Sequence, residues 1–327
     1  MSQSTHWPHI ISWLHALQTV SQQHFQNTIQ DKRRQGRRVR LGFYTYSYTD
    51  RLRMPLGPCL KRIARSGYSG IDISGTDGPS ADPRSVSTEL RRQTRRTAEQ
   101  LGLQVEAVIT HAPLSDSLAG PSAIPLDLAG TVDLAVDVVT FHMGGYPAGI
   151  PRDEFWKAIV ERIRDVADYA AAHRVFLAVD GIWPEWVDDS SETLERLFQD
   201  VGSPAFGVNF DPSYLVLMGI DPAGFAERFA KRIVHAHLKD HAGHYPKWTH
   251  FIPGGEMDYA KVFAALRKIR FSRSCAVECF TEMPFAEACD DGYRAMTAAA
   301  QKAEARFDPS ANALPMPRID HLAIPMK

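Results

Sequence analysis

The sequence predicts a single-domain (β/α)8 barrel, and three observations carry that expectation. From Leu41 to Arg306, eight short β-rich apolar runs alternate with longer segments of helical period. No GxGxxG or Walker pattern follows the first run, as it often does in open doubly wound sheets. Ionisable or imidazole side chains close six of the eight runs, where a parallel barrel keeps its functional groups.

In chain order the strand runs are LGFYTYSY from Leu41, SGIDIS from Ser69, LQVEAVIT from Leu103, VDVVTFH from Val136, RVFLAVD from Arg174, AFGVNFD from Ala205, RIVHAHLKD from Arg232 and SCAVECF from Ser274. Each is nearly continuous in apolar residues, as strands buried on both faces are. Between them, helical period predicts helices over 55–66, 85–101, 152–173, 190–201, 221–231, 258–269 and 284–306. Asp221-Pro222 and Ser190-Ser191-Glu192 read as helix starts, joining an N-cap oxygen to a proline or an acid in the first turn. Only 126–134 is left for a third helix, which must be short or irregular.

The barrel is assigned to 41–306. Residues 1–40 form an N-terminal extension, ending in the basic run DKRRQGRRVR, which reads as a solvated linker. Residues 307–327, rich in proline and small residues, form a C-terminal arm. The two arms suit wrapping of the barrel or contact with another subunit, in a homo- or hetero-oligomer.

Lys+Arg 37 against Asp+Glu 38 gives a net charge of −1, without the field of a nucleic-acid or membrane-surface binder. The start of the chain lacks the apolar run of a signal peptide or membrane span. Its four cysteines show no CxxC spacing. These features point to a cytoplasmic protein with a small-molecule partner. Strand alternation turns Cys275 and Cys279 away from the face that carries Glu278.

The polar strand ends are His111, His142, Asp180, Asp211, His237 and Glu278. Asp211, which precedes Pro212, has a simpler reading as a helix cap. Three carboxylates and a histidine on one rim ask for more, because like charges close together need protons or a cation between them. Asp180, Asp211, His237 and Glu278 are therefore expected to ligate one divalent metal ion. This oxygen-rich set suits Mn2+ first, with Mg2+, Co2+ and Zn2+ as the other candidates. His235 shares a strand face with His237 but lies deeper, and reads as a supporting histidine.

At these residues the chain resembles the xylose isomerase-like TIM-barrel superfamily, which holds sugar isomerases and epimerases, dehydratases and apurinic endonucleases. The resemblance runs from Leu41 to Arg306 through GYSGIDIS, THAPL, VVTFHMGG, VNFDPSYL, VHAHLKDH, IPGGEMDY and AVECF. It implies metal-ligand positions at Asp211, His237 and Glu278, and mouth positions at His111 and His142. Two residues depart from the family pattern. Asp180 stands where glutamate is usual, with Glu185 as a substitute base, and Tyr214 stands where many relatives carry histidine, which argues against a trinuclear nuclease centre.

The expected activity is isomerisation or epimerisation of a non-phosphorylated or keto sugar through a metal-stabilised enediolate, with Glu278 and Asp180 as paired acid and base. The same enolate can expel a β-substituent, so a lyase acting on a sugar, a cyclitol or a 3-keto glycoside is the alternative, with His142 or His111 protonating the leaving group. A barrel that binds sugar without catalysis is the alternative of another class. Tyr46, Glu185, Tyr214, Lys239 and His250 are candidate substrate contacts. Tyr44, Tyr48, Trp183, Trp186 and Trp248 join them as mouth aromatics that stack on sugar or merely pack. Lys239 either orients substrate hydroxyls or pairs with Asp240.

Overall fold

The computed structural model describes residues 39–75, 82, 85–114, 131, 133–146, 149–180, 190–244, 247–251, 255–279 and 283–306. Residues 1–38 of the extension, the arm 307–327, Trp183, Glu185 and Trp186 lie outside these residues, as do the side chains of His111, Trp248 and His250.

The strands are β1 (Arg40–Tyr44), β2 (Gly70–Ser74), β3 (Gln104–Pro113), β4 (Val138–His142), β5 (Phe176–Asp180), β6 (Phe206–Phe210), β7 (Ile233–Leu238), β8 (Asp240–His244), β9 (Lys247–Phe251) and β10 (Ser274–Val277). Eight of them close into a parallel barrel in the order β1-β10-β7-β6-β5-β4-β3-β2, as the eight apolar runs predict. The labelled helices are α1 (Leu56–Ser66), α2 (Thr88–Gln100), α3 (Arg152–Ala172), α4 (Ser190–Val201), α5 (Pro212–Leu217), α6 (Pro222–Arg228), α7 (Tyr259–Lys268) and α8 (Phe285–Arg306). Side chains from Asp221 and Asp258 cap α6 and α7 by accepting from Gly224 N at 3.0 Å and Lys261 N at 3.3 Å.

Strand alternation sorts the apolar residues into two bodies. Tyr44, Ala107, Ile109, Val138, Phe176, Ala178, Val234 and Ala276 fill the bore. Phe43, Ile71, Phe141, Leu177, Val208, Cys275 and Val277 belong to the larger core that also takes in the buried residues of the helices. Cys275 and Cys279 lie in that outer core, on the side opposite Glu278, and all four cysteines are free thiols.

One irregularity sets the phase of the site. Between β6 and β7 the register steps from Val208↔Ile233 to Asn209↔His235, so Val234 has no partner of its own. The extra residue lets Val234 fill the bore while His235 and His237, one and three positions on, face the bore as well.

Three local elements differ from expectation. The first run leaves the sheet at Tyr44 and turns into a π-helical segment, Ser47–Arg51, which breaks the period of two that would carry Tyr48 to the mouth. Tyr48 instead packs against Phe285, ring centroids 4.6 Å apart, and donates its hydroxyl to Met283 O at 3.2 Å. A six-residue helix, α5, starts directly after β6. The chain beyond β7 forms an antiparallel hairpin, β8 and β9, with Asp240 opposite Phe251.

The base of that hairpin is latched by Asp240. Its carboxylate accepts from the backbone N–H of His241 (2.8 Å), Gly255 (2.9 Å) and Met257 (3.1 Å). Gly255 approaches so closely that a Cβ there would overlap the Asp240 carboxylate and His241 O.

Candidate functional site

Because β5, β6, β7 and β10 are consecutive around the barrel, they deliver Asp180, Asp211, His237 and Glu278 side by side at the C-terminal mouth. Asp180 and Glu278 flank the other two. All four side chains are buried. His237 Nδ1 lies 3.1 Å from Glu278 Oε2 and 3.7 Å from Asp180 Oδ2. His142 stands at the rim on the β4 side, with Nε2 3.9 Å from Asp180 Oδ2.

Lys239 takes a more central place than a substrate-contact role implies. The bore buries its ammonium between two of the expected ligands, with Nζ 2.8 Å from Asp211 Oδ2 and 3.0 Å from Glu278 Oε2. The same atom sits 4.2 Å from the centroid of the Tyr214 ring, a cation–π contact. Tyr214 is thus a wall of the site through Lys239. Tyr46, half-buried, stacks on Tyr44 (5.9 Å, 14°), which in turn stacks on the His237 ring (5.3 Å, 19°), giving an aromatic column from the mouth to the imidazole.

The cap reading of Asp211 holds, and its second oxygen stays turned to the site. Its Oδ1 caps α5 by accepting from Ser213 N at 3.0 Å and Ser213 Oγ at 2.6 Å, while Oδ2 faces the site.

A further acid completes the cluster, and the strand-end rule passes over it. Asp72, in the GIDIS run of β2, reaches across the bore so that one oxygen, Oδ2, lies 2.7 Å from His235 Nε2 and 3.1 Å from His237 Nε2. Asp72, His235 and His237 together offer three ligand atoms within 4.8 Å of one another, a group able to hold a metal ion. His235 is buried and meets the site through its contact with Asp72.

Charge is unevenly balanced here. Burial pushes the Glu278 carboxyl up, but Lys239 and His237 outweigh it and hold the group well below the usual carboxylate range. Asp211 is raised, by burial first and then by repulsion from Glu278 and Asp180, against the pull of Lys239. For His237, burial favours the neutral ring, yet Glu278, Asp72 and Asp180 together lift its basicity well above the ordinary value. Asp72 is lowered because its two histidines overcome its burial.

At this rim the buried Asp180 Oδ1 has no hydrogen-bond partner, whereas Asp211 Oδ2 and His237 Nδ1 face Lys239 and Glu278 as ion pairs. A buried oxygen without a partner is uncommon, and a bound ion is one group that would satisfy it. Carboxylate oxygens and one basic imidazole nitrogen are a donor set that fits a divalent cation.

Residues 60–300 match the family model described as xylose isomerase-like TIM barrel. The rhizopine catabolism protein MocC of Rhizobium meliloti is 27% identical over 203 residues, which is 58% of this chain and 58% of that protein. The aligned part therefore spans little more than half the length of that curated relative. Among solved structures, an L-ribulose 3-epimerase superposes with a TM-score of 0.65 at 17% identity, covering 84% of this chain and 100% of the other. A D-psicose 3-epimerase from Clostridium cellulolyticum H10, solved with D-tagatose, gives 0.62 at 14% identity, covering 82% and 96%. At such identities the two superpositions speak for the fold alone.

Proposed function

Because the chain belongs to the xylose isomerase-like TIM barrel family, we propose that it is a divalent-cation-dependent sugar isomerase or epimerase acting on a non-phosphorylated or keto sugar. The observation that carries this reading is the placement of Asp180 and Glu278 on either side of Asp211 and His237 at one mouth. Asp180, Asp211, His237 and Glu278 would hold the cation, Mn2+ before Mg2+, Co2+ or Zn2+. When bound, it supplies Lewis-acid stabilisation of the negative charge that develops on neighbouring sugar oxygens.

The chain's own groups do the rest. One of the flanking carboxylates removes the proton at the carbon α to the carbonyl, and the other returns a proton from the opposite face, which inverts that centre. Both carboxylates therefore alternate between acid and base. Lys239, held as an ammonium by Asp211 and Glu278, is a donor for a sugar oxygen rather than a nucleophile. Tyr46 and Tyr214 give the sugar carbon skeleton aromatic faces, while the buried floor of the site limits water at the reacting carbon. His142 is assigned to the rim of the same site.

The test is metal content by mass spectrometry for wild type, Asp211→Asn and Glu278→Gln, followed by a ketose and aldose screen in D2O. About one equivalent of metal, reduced in both variants, with one deuterium incorporated at an inverted carbon of a product of otherwise unchanged composition, is the expected result. A wild type that takes up no Mn2+ overturns the proposal. An unsaturated or deglycosylated product moves the chain to the lyases, and sugar binding without any metal requirement moves it to the non-catalytic barrels.

A further inference from the structure

Resting on that reading of the site, we propose that Asp72 is the positioning residue that makes His237 a ligand, by fixing which ring nitrogen faces the mouth. The imidazole has two edges, and the fold treats them differently. Nε2 points toward Asp72 Oδ2 at 3.1 Å, and Nδ1 points toward Glu278 and Asp180 at 3.1 and 3.7 Å. A carboxylate oxygen only accepts, so the ring carries a proton on Nε2 toward Asp72, and the proton that Nδ1 shares with Glu278 is the one a cation at the mouth would displace, with Asp72 keeping Nε2–H in place.

The arrangement is closed to the alternative tautomer from several sides. His235 Nε2 donates to the same Oδ2 at 2.7 Å, so Asp72 is held in place by a second histidine of the same strand. Tyr44 stacks on the face of the His237 ring, 5.3 Å between centroids, and blocks its rotation. Asp72 itself is fully buried in the bore, and its other oxygen, Oδ1, has no hydrogen-bond partner. Asparagine would fill the same volume and keep one acceptor oxygen, so what the carboxylate contributes is its negative charge and the absence of any donor.

The Asp72, His235 and His237 group is more readily a hydrogen-bonded support than a metal site of its own. The separations of 2.7 and 3.1 Å from Oδ2 to the two nitrogens are those of N–H···O bonds. Ligands at about 2.0–2.2 Å from one cation stand about 3 Å apart or more, which the shorter contact does not allow.

The experiment is Mn2+ affinity by isothermal titration calorimetry, with the rise in Tm on adding Mn2+ as a second readout, for wild type, Asp72→Asn, Asp72→Ala, His235→Gln and Asp211→Asn. The expected result is a loss of about 10- to 100-fold in affinity for both Asp72 variants, the range typical of groups that orient a ligating histidine. Their Mn2+-induced rise in Tm should shrink with it, whereas a purely structural role would lower Tm equally with and without Mn2+. Unchanged affinity in Asp72→Asn and Asp72→Ala, beside a clear loss in Asp211→Asn, overturns the positioning role and leaves the proposed function standing. Equal losses in Asp72→Asn and His235→Gln with none in Asp211→Asn would show a metal held by the Asp72 group itself, and overturn it too. A wild type that fails to bind Mn2+ removes both the function and this inference.

Discussion

Nζ of Lys239 stands 3.0 Å from Oε2 of Glu278, the same oxygen that faces Nδ1 of His237 at 3.1 Å. One carboxylate oxygen thus serves an ammonium and an imidazole together, deep in a site that also buries Asp180 and Asp211. Removing the ammonium leaves the acids without that compensation. Lys239→Met is expected to destabilise the chelator-treated protein by about 3–5 kcal/mol, the usual cost of breaking a buried ion pair by deleting one partner. Saturating Mn2+ should restore much of it, because a ligand of the folded state alone adds stability by mass action. Urea unfolding with chelator and with Mn2+ measures both, and an unaltered midpoint in chelator would count against the assignment.

Asp180 carries a shorter side chain than the glutamate usual at its position, and its Oδ1 makes no hydrogen bond. If it moves a proton, Asp180→Asn should lower kcat by roughly 10²–10⁴-fold with little change in KM. Steady-state kinetics on the substrate found in the ketose screen decide this. A raised KM at constant kcat would assign Asp180 to binding alone.

At the base of the hairpin, Gly255→Ala would push a methyl group into the Asp240 carboxylate and His241 O. The carboxylate must then give up backbone donors it now holds at 2.8–3.1 Å. A loss of about 1–3 kcal/mol is expected from such overpacking, together with faster proteolysis within β8 and β9. Wild-type cleavage rates would show that the latch does not hold the hairpin.

Alkaline pH acts through the buried phenols. Tyr44, Tyr68 and Tyr259 are all raised well above 10.0, in each case chiefly by burial. A group raised in the folded state gives stability that is whole below its unfolded value and lost as pH climbs toward the folded one. Stability to urea should therefore fall above about pH 10. These three phenols should ionise only as the chain unfolds, seen as a late step in absorbance at 295 nm. Their ionisation in the native protein below that step would contradict the burial.

Much of the barrel and its rim was legible because both rest on local rules. Nearly continuous apolar runs mark strands buried on both faces, and Asp211, His237 and Glu278 stand where such strands end. Alternation likewise separates Glu278 from Cys275 and Cys279. Tyr48 misleads that rule, since the period of two lapses where the chain turns π-helical after β1. The hairpin after Asp240 has no apolar alternation to announce it, since DHAGH and KWTHF are largely polar. Asp72 gives no local sign at all. Its partners lie 163 and 165 residues away, and only closure of the barrel brings them together.

That separation bears on how the molecule assembles. In the closed ring the short way from β2 to β7 runs past β1 and β10, and β10 is the last of the described strands to be made. Loop closure over such distances is slow, and its entropic cost falls due before the contacts that offset it can form. The Asp72 bridge to the two histidines is therefore a late event in folding. A nascent chain that has emptied the ribosome only as far as β7 holds all three residues, yet has no ring to press them together. In kinetic terms the proposed cation would be a reporter of completion, binding after the barrel shuts and slowing its reopening.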